Sequence, residues 1–191
     1  GQKNENSQRQ SRKNSWNAVH TFDDLIGSAA VFRACLKLSQ QAAGHDFPTL
    51  LLGESGTGKE LLAQGIHAAS IRAAGPFVAV NCGVTNDELL AAELFGYVDG
   101  AFTGATRGGR KGKIELSHKG TLFLDEVAEM PIKMQISLLR VLEEGKVTRV
   151  GGENPVPVDI RVIAASHRPL KTAVEKGGFV MTYTTVWPCF P

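Results

Sequence analysis

Apolar residues in this chain fall into short runs and helical stripes that alternate along its length. Between residues 29 and 43, Val31, Cys35 and Leu38 recur at helical spacing and Gly44 supplies a stop, which predicts a first helix. Pro48 opens the run Thr49, Leu50, Leu51, Leu52, which is too short for a helix and meets a Gly-rich turn, so it reads as a buried strand. After the turn, Leu61, Leu62, Ile66 and Ala69 return to helical spacing. Residues 77–80, 122–124 and 160–164 read as further buried strands, and Met134, Leu138 and Leu142 share one helical face between the last two. This alternation predicts an α/β fold in which helices cover a parallel sheet. Residues 1–20 break the pattern. They are rich in Gln, Asn, Ser, Lys and Arg and too poor in apolar groups to offset the entropy of ordering, so they are expected to be a flexible linker.

Composition narrows the picture. With 42% hydrophobic and 21% charged residues the chain suits one globular core, and a formal net charge of +2 is too small to indicate nucleic-acid binding. No helix-turn-helix pattern accompanies it, so any DNA contact is expected from a domain outside this chain. Cys35, Cys82 and Cys189 are widely spaced and odd in number, which argues against a disulfide framework or a zinc site and fits a reducing cytoplasmic setting. No apolar run is long enough for a membrane span, and no signal-peptide pattern opens the chain. The start at Gly1 suggests a fragment or a processed chain.

The candidate chemistry sits at two strand ends. GESGTGKE, at 53–60, satisfies G-x-x-x-x-G-K between an apolar strand and an amphipathic helix. Gly53, Gly56 and Gly58 let consecutive N–H groups of the loop, with Glu54, Ser55 and Thr57 between them, turn toward a phosphate, and the helix start adds its positive dipole end. Lys59 would neutralise the outer phosphates of ATP. The general motif ends in Ser or Thr, which holds magnesium, whereas this chain has Glu60, so the metal must lean on another group. GTLFLDE, at 120–126, is an apolar strand ending in two carboxylates. Asp125 is assigned to Mg and Glu126 to polarising the attacking water, because a carboxylate at a strand's C-terminal end faces the same crevice as the loop. Alone, either stretch could be a mobile loop or a solvated acidic pair. Together they point to a nucleotide site.

Between them lies ELFGYVDGAFTGA, whose last six residues, Gly100, Ala101, Phe102, Thr103, Gly104 and Ala105, resemble the signature of sigma-54-dependent transcription activators. FDDLIGS at 22–28, VNC at 80–82, LLRVLEEG at 138–145, RVGG at 149–152 and RVIAAS at 161–166 are similar to the same family, and the likeness runs from about residue 21 to residue 178. The resemblance implies a three-layer P-loop NTPase domain of the AAA+ type, with a GAFTGA loop that touches the sigma factor of sigma-54 RNA polymerase and moves with ATP hydrolysis, in subunits that form a ring. It further implies that Asn81 restrains Glu126, that Ser166 and His167 form the sensor of the third phosphate, and that Leu25, Ile26 and Gly27 pack on the adenine.

From residue 179 to 191 the chain departs from the family pattern, which runs FRDDLYYRLAVFP where this chain has FVMTYTTVWPCFP. Deleting one base from codons for the family segment reproduces the whole altered tail, so a single-nucleotide frameshift is the expected origin. The family's two arginines that act on the neighbouring subunit's nucleotide fall at Val180 and Val186, and valine cannot stabilise phosphoryl charge. The resemblance therefore implies a chain truncated before its fifth strand and helical lid, defective in hydrolysis, with residues 49–52 left as a bare, aggregation-prone sheet edge. A passive nucleotide- or sigma-binding module and a non-functional gene product are the alternatives.

Overall fold

The structure, a computed structural model, describes residues 17–83, 86–103, 106–168 and 185–188. In chain order the strands are β1 Thr49–Leu52, β2 Phe77–Asn81, β3 Gly96–Tyr97, β4 Arg110–Lys111, β5 Thr121–Asp125, β6 Lys146–Thr148, β7 Pro155–Pro157, β8 Arg161–Ser166 and β9 Thr185–Pro188. Five of them form the central sheet in the order β2-β5-β8-β1-β9, every pair parallel. Because side chains alternate across a strand, each strand feeds two cores. Leu50, Leu122, Leu124, Val162 and Ala164 point to one face, where Leu90, Leu94, Met134 and Leu138 meet them. Leu51, Phe123, Ile163 and Ala165 point to the other, against Cys35, Leu62, Ala63 and Ile66. The helices Ala30–Ala43 and Lys59–Ala68 cover that second face, and Asp87–Phe95 and Ile132–Glu144 cover the first, giving three layers.

The helix boundaries have local causes. Asn86 Oδ1 accepts from the N–H groups of Glu88 and Leu89, which caps the helix Asp87–Phe95, and Gly96 at φ 76° ends it. Pro131 precedes the helix Ile132–Glu144 and Gly145 at φ 64° closes it. On the helix Ala30–Ala43 the buried face is Cys35, Ser39, Ala42 and Ala43, while Val31 is half exposed. The stripe expected through Val31, Cys35 and Leu38 is thus rotated, because small side chains are what allow this helix to lie close to its neighbour.

The sheet corrects one expectation directly. The fifth-strand position, expected to be vacant, holds β9, with Thr185 opposite Thr49 and Pro188 opposite Leu52. Strand pairing is made by backbone groups, so residues that depart from the family pattern still fill the position, and Thr, Val and Trp suit a pleated strand. The edge of β1 is covered, and the aggregation argument built on a bare edge does not apply to it. Val186 lies within this strand, opposite Leu50, whereas Val180 and Cys189 lie outside the described residues. At the other end of the chain, residues 1–16 of the expected linker are outside the described residues, but Ala18 packs on the second core and the N–H groups of Val19 and His20 donate to Gln64 Oε1 at 2.9 and 3.1 Å. A mostly buried amide oxygen needs donors, and this segment supplies them.

The loops entering β1, β2, β5 and β8 are tied together. Arg72, before β2, forks onto Asp46, before β1, at 2.6 and 2.5 Å, and also reaches Asp159, before β8, at 2.7 Å. Lys119, before β5, donates to the same Asp159 at 2.7 Å. Lys119 and Arg72 together pull the Asp159 carboxyl down to about 2. This network fixes the end of the sheet opposite the phosphate loop. No described helix is long and apolar enough to cross a membrane.

Candidate functional site

At the C-terminal ends of β1, β5 and β8 lies a cavity of about 290 Å³ lined by Ser55, Gly56, Gly58, Lys59, Glu60, Asp125, Glu126 and His167. All eight are among the residues singled out from the sequence, from three separate stretches of chain. The loop after β1 carries Gly56 at φ 78° and Gly58 at φ 81°, left-handed conformations that L side chains resist. A Cβ at Gly56 would meet no atom within 4 Å, so this cavity-lining position is open as well as left-handed. Gly58 caps the helix Lys59–Ala68 with no side-chain bond to the first-turn N–H groups, which leaves those donors facing outward.

Lys59 is 8% exposed, and its Nζ donates to the carbonyls of Gly53 at 2.8 Å and Glu54 at 2.6 Å. Those two bonds brace the loop and leave the third ammonium donor for the cavity. Thr57 does not line the cavity; its hydroxyl donates to the Glu54 carbonyl at 2.8 Å and tightens the turn. Glu60, in the cavity wall, accepts from Gln64 Nε2 at 3.4 Å.

Asp125 ends β5, and its Oδ1 accepts the Glu126 N–H at 2.9 Å. Glu126 then sits at φ 52°, a left-handed conformation for a residue with a side chain, which costs roughly 1–2 kcal/mol. Strain held at such a position is an observed outlier that points to function. The turn Val127–Glu129 follows and fixes it, with the Glu129 N–H donating to the Glu126 carbonyl at 2.9 Å. Asn81 ends β2, opposite Asp125 in register. Its Oδ1 accepts the Gly83 N–H at 2.7 Å, and a Cβ at Gly83 would overlap Glu126 Oε2. Asn81 and Glu126 therefore flank one glycine, whose missing side chain gives the carboxylate its room. No motif in the sequence marks Gly83. Next to Asn81, burial first and then Asp125, Glu126 and Glu93 push the Cys82 thiol up to about 12, so it stays protonated and inert.

Ser166 and His167 separate in the structure. His167 lines the cavity, whereas Ser166 is fully buried and its hydroxyl donates to the Arg168 carbonyl at 2.8 Å and accepts the Arg168 N–H at 3.1 Å. Ser166 thus shapes the turn that presents His167. The expected adenine segment also lies apart from the cavity lining: Leu25 packs on the second core, Ile26 is 96% exposed, and Gly27 stands against the Phe32 ring.

The loop between β3 and β4 is separate from the cavity. Gly100 turns at φ 72° with open space around it, Ala101 lies against Gly151, and Phe102 sits edge-on to Tyr97 at 5.0 Å while remaining 38% exposed. Thr103 is exposed, and Gly104 and Ala105 lie outside the described residues.

The family described as Sigma-54 interaction domain matches residues 25–184. A signal-transduction and transcriptional-control protein of Clostridium beijerinckii is 51% identical over 162 residues, 85% of this chain and 26% of that protein. The acetoin dehydrogenase operon transcriptional activator AcoR of Bacillus subtilis is 50% identical over 156 residues, 82% of this chain and 26% of that protein. The chain therefore spans about a quarter of the length of these relatives. Among solved structures, NtrX from Brucella abortus in complex with ATP matches with a TM-score of 0.75 at 34% identity, covering 92% of this chain and 36% of that one.

Proposed function

The chain belongs to the sigma-54 interaction domain family, and from that premise we propose that it is the ATP-binding motor core of a sigma-54-dependent transcription activator, which engages sigma-54 RNA polymerase through residues 100–105. The observation that carries this reading is the convergence of the phosphate loop, the acidic pair and His167 on one cavity, with the GAFTGA loop outside it. The residues suit ATP. Open first-turn N–H groups and the Lys59 ammonium offer donors to phosphate, and Gly56 leaves the space. They also suit magnesium. Among the described residues no cluster of three or more His, Cys, Asp and Glu could hold a metal alone, so Asp125 would supply a carboxylate oxygen while phosphate and water complete the shell, the usual manner of magnesium. When bound, that ion supplies neutralisation of phosphate charge.

Within this proposal Glu126 orients and polarises water, held in place by its backbone turn, and Asn81 restrains it across Gly83. Val180 and Val186 stand where the family resemblance puts arginines that reach a neighbouring subunit's nucleotide, so the chain is proposed to bind ATP without turning it over at a useful rate. A passive nucleotide-dependent sigma-binding module is the second reading, favoured by those same two valines. Ring assembly and DNA contact, the latter through a domain outside this chain, belong to the proposal for the whole protein.

Thr103→Ala tests the partner assignment. Its hydroxyl is exposed on a loop that contributes nothing to the cavity lining. The variant is expected to keep its ATP affinity within about twofold and to lose capture of purified sigma-54 polymerase about tenfold or more. Unchanged capture would remove the loop from the interface.

A further inference from the structure

Two chain segments each bring a residue to the cavity lining. One is Glu126, followed by the turn Val127–Glu129, and the other is His167, between the end of β8 and Arg168. Each is shaped locally: Glu129 N–H closes on the Glu126 carbonyl, and the Ser166 hydroxyl bonds both backbone groups of Arg168. Between the segments runs one ion pair, Arg168 Nη1 to Glu129 Oε1 at 3.0 Å. Neither residue lines the cavity, and no motif in the sequence singles out either.

We propose that Glu129 and Arg168 are positioning residues that set the separation of Glu126 and His167, and so make the site distinguish ATP from ADP. The inference rests on the nucleotide-binding reading above. The phosphate loop and Lys59 grip whatever phosphates a nucleotide carries, and a diphosphate satisfies them. Glu126 and His167 line the same cavity, and on the nucleotide-binding reading they are the groups that meet a third phosphate. Their spacing depends on two short segments, the single 3-10 turn Val127–Glu129 and the turn that follows β8. Glu126 is already held at φ 52°, so its turn has a conformation to relax into if released. An ion pair spanning the two turns costs little to keep at this partly exposed place, with side chains 63% and 35% exposed, and contributes little to global stability. Its effect is local, on the geometry of two groups that must be placed to within a fraction of an ångström.

The test is a set of titrations of the full chain with magnesium and either ADP or a non-hydrolysable ATP analogue. Glu129→Gln and Arg168→Gln are each expected to weaken the triphosphate about two- to fivefold while leaving ADP unchanged. The charge-reversed double variant, Glu129→Arg with Arg168→Glu, is expected to restore the preference. Equal weakening of both nucleotides would mean that the pair only supports the fold, and no change in either would mean that it is idle; both results overturn the proposal. If the unaltered chain bound neither nucleotide, the reading beneath it would fall instead.

Discussion

Lys59→Ala is expected to lower ATP affinity by about a hundredfold, close to 2.7 kcal/mol. Three of the eight residues around the cavity are carboxylates, Glu60, Asp125 and Glu126, and Lys59 is the lysine or arginine among them. Without it the cavity is anionic, and a triphosphate meets repulsion that magnesium alone must offset. The substitution also removes two bonds to the carbonyls of Gly53 and Glu54, which hold the loop in its open cup. Both losses act in the same direction. Calorimetric titration of the variant beside the unaltered chain checks this, and a change of less than about threefold would mean that backbone donors alone hold the phosphates.

Phe123→Ala is expected to destabilise the chain by about 3–5 kcal/mol. Phe123 is 1% exposed in a central strand and stacks on Phe77 at 5.9 Å, which in turn meets the His67 ring edge-on at 5.5 Å. His67 belongs to the helix Lys59–Ala68, whose Leu62, Ala63 and Ile66 share a core with Phe77 and Phe123 and whose first turn faces the cavity. Truncation would leave a hole that the stiff central strand cannot close, and the helix above it would lose its seat. For a chain of this size the loss should lower the melting temperature by roughly 2–4 °C per kcal/mol. Val19→Ala, at a position 78% exposed, is the control and should stay within about 0.5 kcal/mol. A Phe123→Ala loss below about 1 kcal/mol in urea would contradict the packing described here.

The strands of the core were readable because each is apolar on both faces, a pattern that Thr49–Leu52 and Thr121–Asp125 carry without ambiguity. The cavity was readable for a related reason. Its residues follow directly on those strands, so finding the strands brings Lys59, Asp125, Glu126 and His167 together by topology alone. What failed to show was structure made by pairing at a distance or by single bonds. β3–β4 and β6–β7 are two- and three-residue strands with no periodicity to detect. β9 lies in a tail whose sequence departs from the family, and it pairs with β1, a strand more than 130 residues earlier. Ser166 ends β8, where the apolar run stops, but its two bonds to Arg168 are invisible in the sequence, as is the fact that His167 and not Ser166 lines the cavity. The Phe22–Asp24 turn, likewise, seats the Phe22 ring against Gly65 on the helix Lys59–Ala68.

The most direct test of the central claim is to measure ATP binding and phosphate release together on the unaltered chain, with magnesium present. The account predicts about one nucleotide bound per chain and no phosphate release above background, because the binding groups are assembled while Val180 and Val186 cannot stabilise charge on a neighbour's phosphate. Sustained release on the order of 1 s⁻¹ or faster would contradict the hydrolysis defect, and a chain that binds no nucleotide would contradict the motor-core assignment itself.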